Sequence, residues 1–187
     1  MANVKSPPNC LQALSTPVYA LSTRGAPSPT APSPASISLV TYCSYVSRSP
    51  HTVLAVGLFK GRGGTLTREN FLRERTAVLQ ILSPSHASLF DLLGKTSGRD
   101  VDKKAALADL GVAFSDQDGH VVLEQTFGWA TIELLGTPTD CGDHDVALCR
   151  VVEASPALNK GVYLTTGMLR EAGYMESVRR DSVPLLN

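Results

Sequence analysis

The chain has 187 residues, 43% apolar and 18% charged, with 17 Lys or Arg balancing 17 Asp or Glu. That length suits one domain burying about 70% of the surface its unfolded chain exposes, with no need of a metal or disulfide staple. The composition excludes a disordered low-complexity chain. No apolar run reaches the ~18 residues of a membrane-spanning helix, and zero net charge speaks against a nucleic-acid-binding domain with a basic surface, so neither a membrane nor a nucleic acid is an expected partner.

Taken in chain order, residues 1–16 read as a flexible tail. They lack the apolar core of a secretory signal, and their single basic residue, Lys5, makes an organelle transit peptide a weak alternative to a cytoplasmic protein. Val18–Thr23 predicts a first strand. Seven of the 12 prolines fall within residues 1–34, and Gly25–Ser36 reads as an extended proline-rich loop. Ile37–Val46, rich in β-branched and aromatic residues, predicts a strand stopped by Pro50, and Thr52–Phe59 another of buried-strand length. Glycines 61, 63 and 64 then break the strand. A short helix follows, with Thr65 or Thr67 as its N-cap.

Ala77–Leu82 predicts a strand, and His86–Leu93 and Lys103–Leu110 predict helices, the second closed by Gly111. In the polar stretch Thr96–Lys103, Asp100 is the expected cap and Lys103 an exposed residue. Strands are expected at His120–Gln125, Trp129–Leu135 and Val146–Ala154, the last two joined by a Gly/Pro/Asp-rich turn, and Leu164–Tyr174 as a short C-terminal helix. Without regular β/α alternation, this order predicts a mainly antiparallel α+β or β-barrel domain.

Three features bear on chemistry. The segment Lys60-Gly-Arg-Gly-Gly-Thr65-Leu-Thr67 joins a strand to a helix start; its glycines, unpaired helix N–H groups, Lys60, Arg62 and hydroxyls suit a phosphate, although it is neither a Walker A loop nor a GxGxxG turn. A solvated, ordinarily capped turn explains it as well. The turn Asp140-Cys-Gly-Asp-His-Asp145 holds carboxylates, Cys141 and His144, but four matched ligands cannot be assembled there, so no metal is expected. Cys10, Cys43, Cys141 and Cys149 form no CxxC pair, and no GxSxG or HExxH motif occurs.

In combination, these segments resemble the flavin reductase-like family, which folds as an FMN-binding split β-barrel. The likeness runs from about Pro17 to Glu153. It is carried by Ile37–Val46, by Thr65-Leu-Thr67-Arg-Glu-Asn70, by Ala77–Ser83 with Gln80 where the family has Asn, by Ser97–Lys103 and by Gly142-Asp-His144. The departures are Thr41-Tyr42-Cys43-Ser44 in the strand motif, the reduced Ser49-Pro50, and the longer proline-rich loop.

The resemblance implies a mainly β split-barrel domain over residues 17–156, with residues 157–187 packing on it. It implies FMN with its phosphate at Lys60, Arg62, Thr65 and Thr67, and its ring along Ser38, Leu39, Val40, Thr41, Tyr42 and Ser44. His144 would contact nicotinamide or flavin as the catalytic candidate, and Arg99 an anionic group of the substrate. NADH or NADPH would pass hydride to the flavin and on to an acceptor, in a homodimer and with a possible partner oxygenase. A flavin-binding protein without turnover, or a module that lost its cofactor, are the other readings.

The neutral charge hides unlike parts. Residues 1–68 contain six basic and no acidic residues, and the remainder is net −6. The basic third holds the expected phosphate loop and would favour a dianion.

Overall fold

The computed structural model describes residues 14–25, 34–61, 64–157 and 161–175. Arg62, Cys10 and most of the predicted N-terminal tail lie outside them. Among the described residues the strands are β1 Tyr19–Thr23, β2 Ser36–Val40, β3 Cys43–Ser47, β4 Val53–Phe59, β5 Thr76–Ile81, β6 Phe114–Gln117, β7 His120–Leu123, β8 Gly128–Asp140 and β9 His144–Ala154. Three α-helices accompany them: α1 Leu66–Glu74, α2 Lys103–Asp109 and α3 Thr166–Glu171.

Seven strands make one antiparallel sheet in the order β2-β1-β5-β8-β9-β4-β3, and β6 and β7 form a separate hairpin. The two edges of the large sheet, β2 and β3, are consecutive in the chain and separated by Thr41 and Tyr42 alone. The three steps from Val40 to Cys43 span at most about 11 Å, so the sheet must curl until its edges nearly meet. Register shifts in β8, between Thr131 and Ile132 and between Leu135 and Thr139, fit that curvature. The barrel is therefore split between β2 and the β3–β4 pair, and Gly57 N–H donates to Tyr42 O across 2.7 Å at the crossing.

Side chains alternate between two cores. Leu21 and Leu79 point into the barrel with Val56, Ile132 and Ala147, while Val18, Ala20 and Ile37 pack outside it against Leu93, Leu107 and Leu169. β1 is thus apolar on both faces. Fully buried Phe71 of α1 belongs to the barrel core, and truncating such a side chain to Ala costs about 3–5 kcal/mol. The C-terminal segment is bound through Val18 N–H to Leu164 O (2.8 Å) and Leu164 N–H to Leu82 O (2.7 Å).

Several elements differ from the sequence reading. Ile37–Val46 is two strands, because the chain crosses from one sheet edge to the other at Thr41–Tyr42. His86–Leu93 is a 3-10 helix over Pro84–Leu89 followed by a single π turn, Asp91–Lys95, in which Thr96 N–H reaches Asp91 O. Asp102, not Asp100, caps α2 by accepting from the N–H groups of Lys104 and Ala105. Lys103 is 2% exposed rather than solvated. Gln80 lies fully buried and clamps β7 to β5, donating to Val121 O (2.8 Å) and accepting from Leu123 N–H (2.7 Å).

Candidate functional site

The split in the barrel opens into a cavity of about 370 Å³, within the range of ligand pockets. One wall is β2 with Thr41, from Ser38 onward; the opposite wall is the end of β4, Gly57 to Phe59. One end is the start of α1 with Gly61, Gly64 and Thr65. The remaining side is the π turn and its continuation, Phe90 to Gly98.

Glycines shape this space. At Gly94 an added Cβ would lie 3.0 Å from Leu39 Cδ1, and at Gly98 it would lie 2.6 Å from Ser36 Oγ, so both positions admit the turn close against β2. Gly64 has φ +85°, a left-handed conformation that glycine takes without steric cost as the chain enters α1. Thr65 caps α1 by accepting from Arg68 N–H (3.4 Å), and its hydroxyl donates to Phe59 O (3.1 Å). The first N–H groups of a helix have no intrahelical partner, and here they border the cavity.

A chain of hydroxyls forms the polar part of the wall. Thr67 Oγ1 lies 2.7 Å from Ser38 Oγ and 2.9 Å from Ser36 Oγ. Behind Ser38 the Lys103 ammonium donates to Ile37 O (2.9 Å), Leu93 O (3.1 Å) and Ser38 Oγ (3.5 Å). Burial pushes its pKa down from 10.5 to about 8.

At the rim, His144 opens β9 opposite Phe59 of β4. Its ring meets Tyr42 edge-on at 5.0 Å and Phe59 at 5.2 Å, and its Nδ1 lies 2.9 Å from Asp143 Oδ1. That hydrogen bond holds the Asp143 carboxyl below its ordinary pKa. Tyr42 and Phe59 are more than half exposed, so the three rings make an accessible aromatic ledge.

Among the described residues, the basic side chains Lys60, Arg68 and Arg99 near α1 are paired. Arg68 forks onto buried Asp145 through Nε (2.7 Å) and Nη2, Lys60 reaches Asp140 (2.9 Å) and Asp145 (3.8 Å), and Arg99 pairs with Glu69. Three of the six basic residues of the acid-free third, Arg24, Lys60 and Arg68, thus meet carboxylates from the acidic part of the sequence, Arg24 on Glu74. Beside the cavity, the positive charge of Lys60 and Arg68 is offset by Asp140 and Asp145.

The fold gathers Ser38, Leu39, Val40, Thr41, Thr65, Thr67 and His144 around one cavity. Tyr42 stands beside it through His144. Ser44 is exposed on β3, and Lys60 and Arg99 are held by carboxylates outside the lining. Sequence reasoning missed Gly57, Arg68 and the wall from Phe90 to Gly98; Gly94 and Gly98, four residues apart, were its visible signal. Cys43 and Cys149 are poor nucleophiles, since burial pushes their thiols up to about 11 and about 12. Among the described residues no group of three or more His, Cys, Asp or Glu could hold a metal, and no helix is long and apolar enough to cross a membrane.

A family model described as flavin reductase like domain matches residues 11–172, most of the chain. No curated protein matches it. Among solved structures, an FMN-binding protein from Thermus thermophilus with bound 1-cyclohex-2-enone aligns with a TM-score of 0.62 at 20% identity, over 83% of this chain and 79% of its own. BorF, the flavin reductase component of a bacterial two-component tryptophan halogenase, gives 0.63 at 16% identity, over 83% and 88%. The styrene monooxygenase flavin reductase SMOB from Pseudomonas putida S12 gives 0.57 at 19% identity, over 78% and 83%. Identities this low bear on the fold, and the curled sheet is the split barrel of these proteins.

Proposed function

Because the chain belongs to the flavin reductase-like domain family, we propose that it is an FMN-dependent oxidoreductase passing hydride from NADH or NADPH to a bound flavin and on to an acceptor. The observation that carries this reading is the cavity in the barrel split, where a hydroxyl chain and a helix start converge on a glycine-walled slot. The residues fit FMN. Gly94 and Gly98 let the turn lie close against β2, and Thr67 with the first free N–H groups of α1, held in place by the Thr65 cap, forms a donor set suited to a phosphate. When bound, the flavin supplies the hydride-accepting chemistry.

The chain's own residues hold and orient. Ser38 to Thr41 would border the flavin ring, Thr67 would donate to the phosphate, and Thr65, as the cap, would hold the first N–H groups of α1 toward it. Lys60 and Arg68 stand beside the start of α1, their charges offset by Asp140 and Asp145. His144 lies on the aromatic ledge at the cavity mouth, where Asp143 accepts from Nδ1 and holds the ring, and it would contact a nicotinamide or acceptor there. Arg99, freed from Glu69, would contact an anionic part of the substrate. No general acid or base is required for hydride transfer itself.

The protein acts as a homodimer through the outward face of β8 and β9, where Leu135, Leu148 and Val152 are exposed. The reduced flavin can serve a partner oxygenase; BorF is the flavin reductase component of a two-component tryptophan halogenase, and SMOB is a styrene monooxygenase flavin reductase. Anaerobic addition of NADH or NADPH to flavin-loaded protein tests the reading, with loss of the oxidised flavin absorbance expected. Bound flavin that neither nucleotide reduces would instead make this a flavoprotein without turnover.

A further inference from the structure

Lys103 is buried without a carboxylate. Charged groups on the elements around it are engaged elsewhere: Lys95 with Asp91 on the π turn, Arg99 with Glu69 and Arg68 with Asp145 beside α1, Lys104 with Asp116, and Asp102 with the α2 N–H groups. Asp100 makes no ion pair with Lys103, and β2 contributes no charge at all. Burying a lone ammonium is costly, and carbonyls alone do not explain why it also reaches Ser38.

We propose that Lys103 is a positioning residue that sets the direction of the hydroxyl chain, so that Thr67 presents its proton to an anionic ligand group in the cavity. The inference rests on the flavin reading above for the identity of that ligand. An ammonium only donates. Ser38 Oγ therefore accepts from Lys103, at 3.5 Å, and in the proposed relay gives its own proton to Thr67 Oγ1, 2.7 Å away. In that relay Thr67 Oγ1 accepts from Ser38 and, with its second lone pair, from Ser36, whose Oγ lies 2.9 Å away. Its hydrogen is left to point at the ligand. Loss of the Lys103 proton to solvent removes the constraint: the neutral amine can accept from Ser38, Thr67 can turn to donate to Ser38, and the cavity loses a donor. Burial places that switch at about pH 8.

FMN and riboflavin, which lacks the phosphate, are titrated into apoprotein by flavin fluorescence from about pH 7 to about pH 9.5, a range in which a phosphate of second pKa ~6 stays dianionic. The expected result is an FMN Kd that rises about tenfold across pH 8 while that of riboflavin stays level, one charge-assisted hydrogen bond being at stake. Lys103→Met should bind FMN about tenfold more weakly at pH 7 with a flat profile. Ser38→Ala leaves both carbonyl contacts of Lys103 intact and should give the same flat profile in a folded protein. Parallel loss of FMN and riboflavin affinity, or a wild-type FMN profile in Ser38→Ala, would overturn the relay while leaving flavin binding in place. Failure of the wild type to bind either flavin would remove the flavin reading and the relay together.

Discussion

Replacing Gly98 by Ala tests how closely the turn must approach β2. The new Cβ would sit 2.6 Å from Ser36 Oγ and 3.3 Å from Leu66 Cδ2, against an ordinary contact of at least 3.4 Å. Ser36 is 2% exposed and bonded to Thr67, so its hydroxyl cannot swing aside without breaking that bond. Overpacking costs about 1–3 kcal/mol, and loss of one buried hydrogen bond adds about 1 kcal/mol. Chemical denaturation should register a loss of about 2–4 kcal/mol. At about 2–4 °C per kcal/mol for a chain of this size, thermal unfolding should fall by roughly 4–15 °C. FMN affinity should drop as well, because Thr67 moves with Ser36. In Ser36→Ala/Gly98→Ala the obstructing oxygen is gone, and most of the steric part should return. Unchanged stability in the single variant, or a double variant no better than it, would refute the claim that close approach at Gly98 shapes the cavity.

Four further outcomes follow from the same geometry. Thr65→Ala/Thr67→Ala should weaken FMN binding by about 1–3 kcal/mol in a fluorescence titration. His144→Ala should slow flavin reduction in stopped-flow mixing with NADH or NADPH while FMN affinity holds; equal rates would remove His144 from the site. Asp145→Asn, which leaves Arg68 and Lys60 without their buried partner, should cost about 2 kcal/mol by denaturation, less than a fully buried pair because both cations are about one-quarter exposed. Lys103 has a native pKa below its unfolded one, so between about pH 8 and 10.5 the unfolded chain binds more protons and this residue makes stability rise with pH. The raised thiols of Cys43 and Cys149 act in the opposite sense above pH 9, so the difference between wild type and Lys103→Met isolates the slope.

The barrel strands were legible where β-branched and apolar residues run together, as in Thr52–Phe59 and Ala77–Leu82. The break at Thr41–Tyr42 was not, because no glycine or proline marks it; only the curl of the sheet requires the crossing. β6 escaped because Phe114–Gln117 is polar and part-exposed, although Asp118-Gly119, both at positive φ, is a recognisable hairpin turn. In the site, Thr65 as N-cap followed from local capping rules. Lys103 did not, since its burial depends on Ile37 and Leu93, remote in sequence and brought together by α2 packing on β2. The charge asymmetry was plain in the sequence, but its partners Asp140 and Asp145 reach Lys60 and Arg68 only through the pairing of β4 with β9.

The most direct test is an equilibrium titration of apoprotein with FMN beside Thr65→Ala/Thr67→Ala. The account predicts saturable binding of one FMN per chain, weakened in the variant, with riboflavin bound less tightly than FMN by the wild type. No saturable binding, or FMN bound equally well by the wild type and the variant, would contradict a phosphate site at the start of α1.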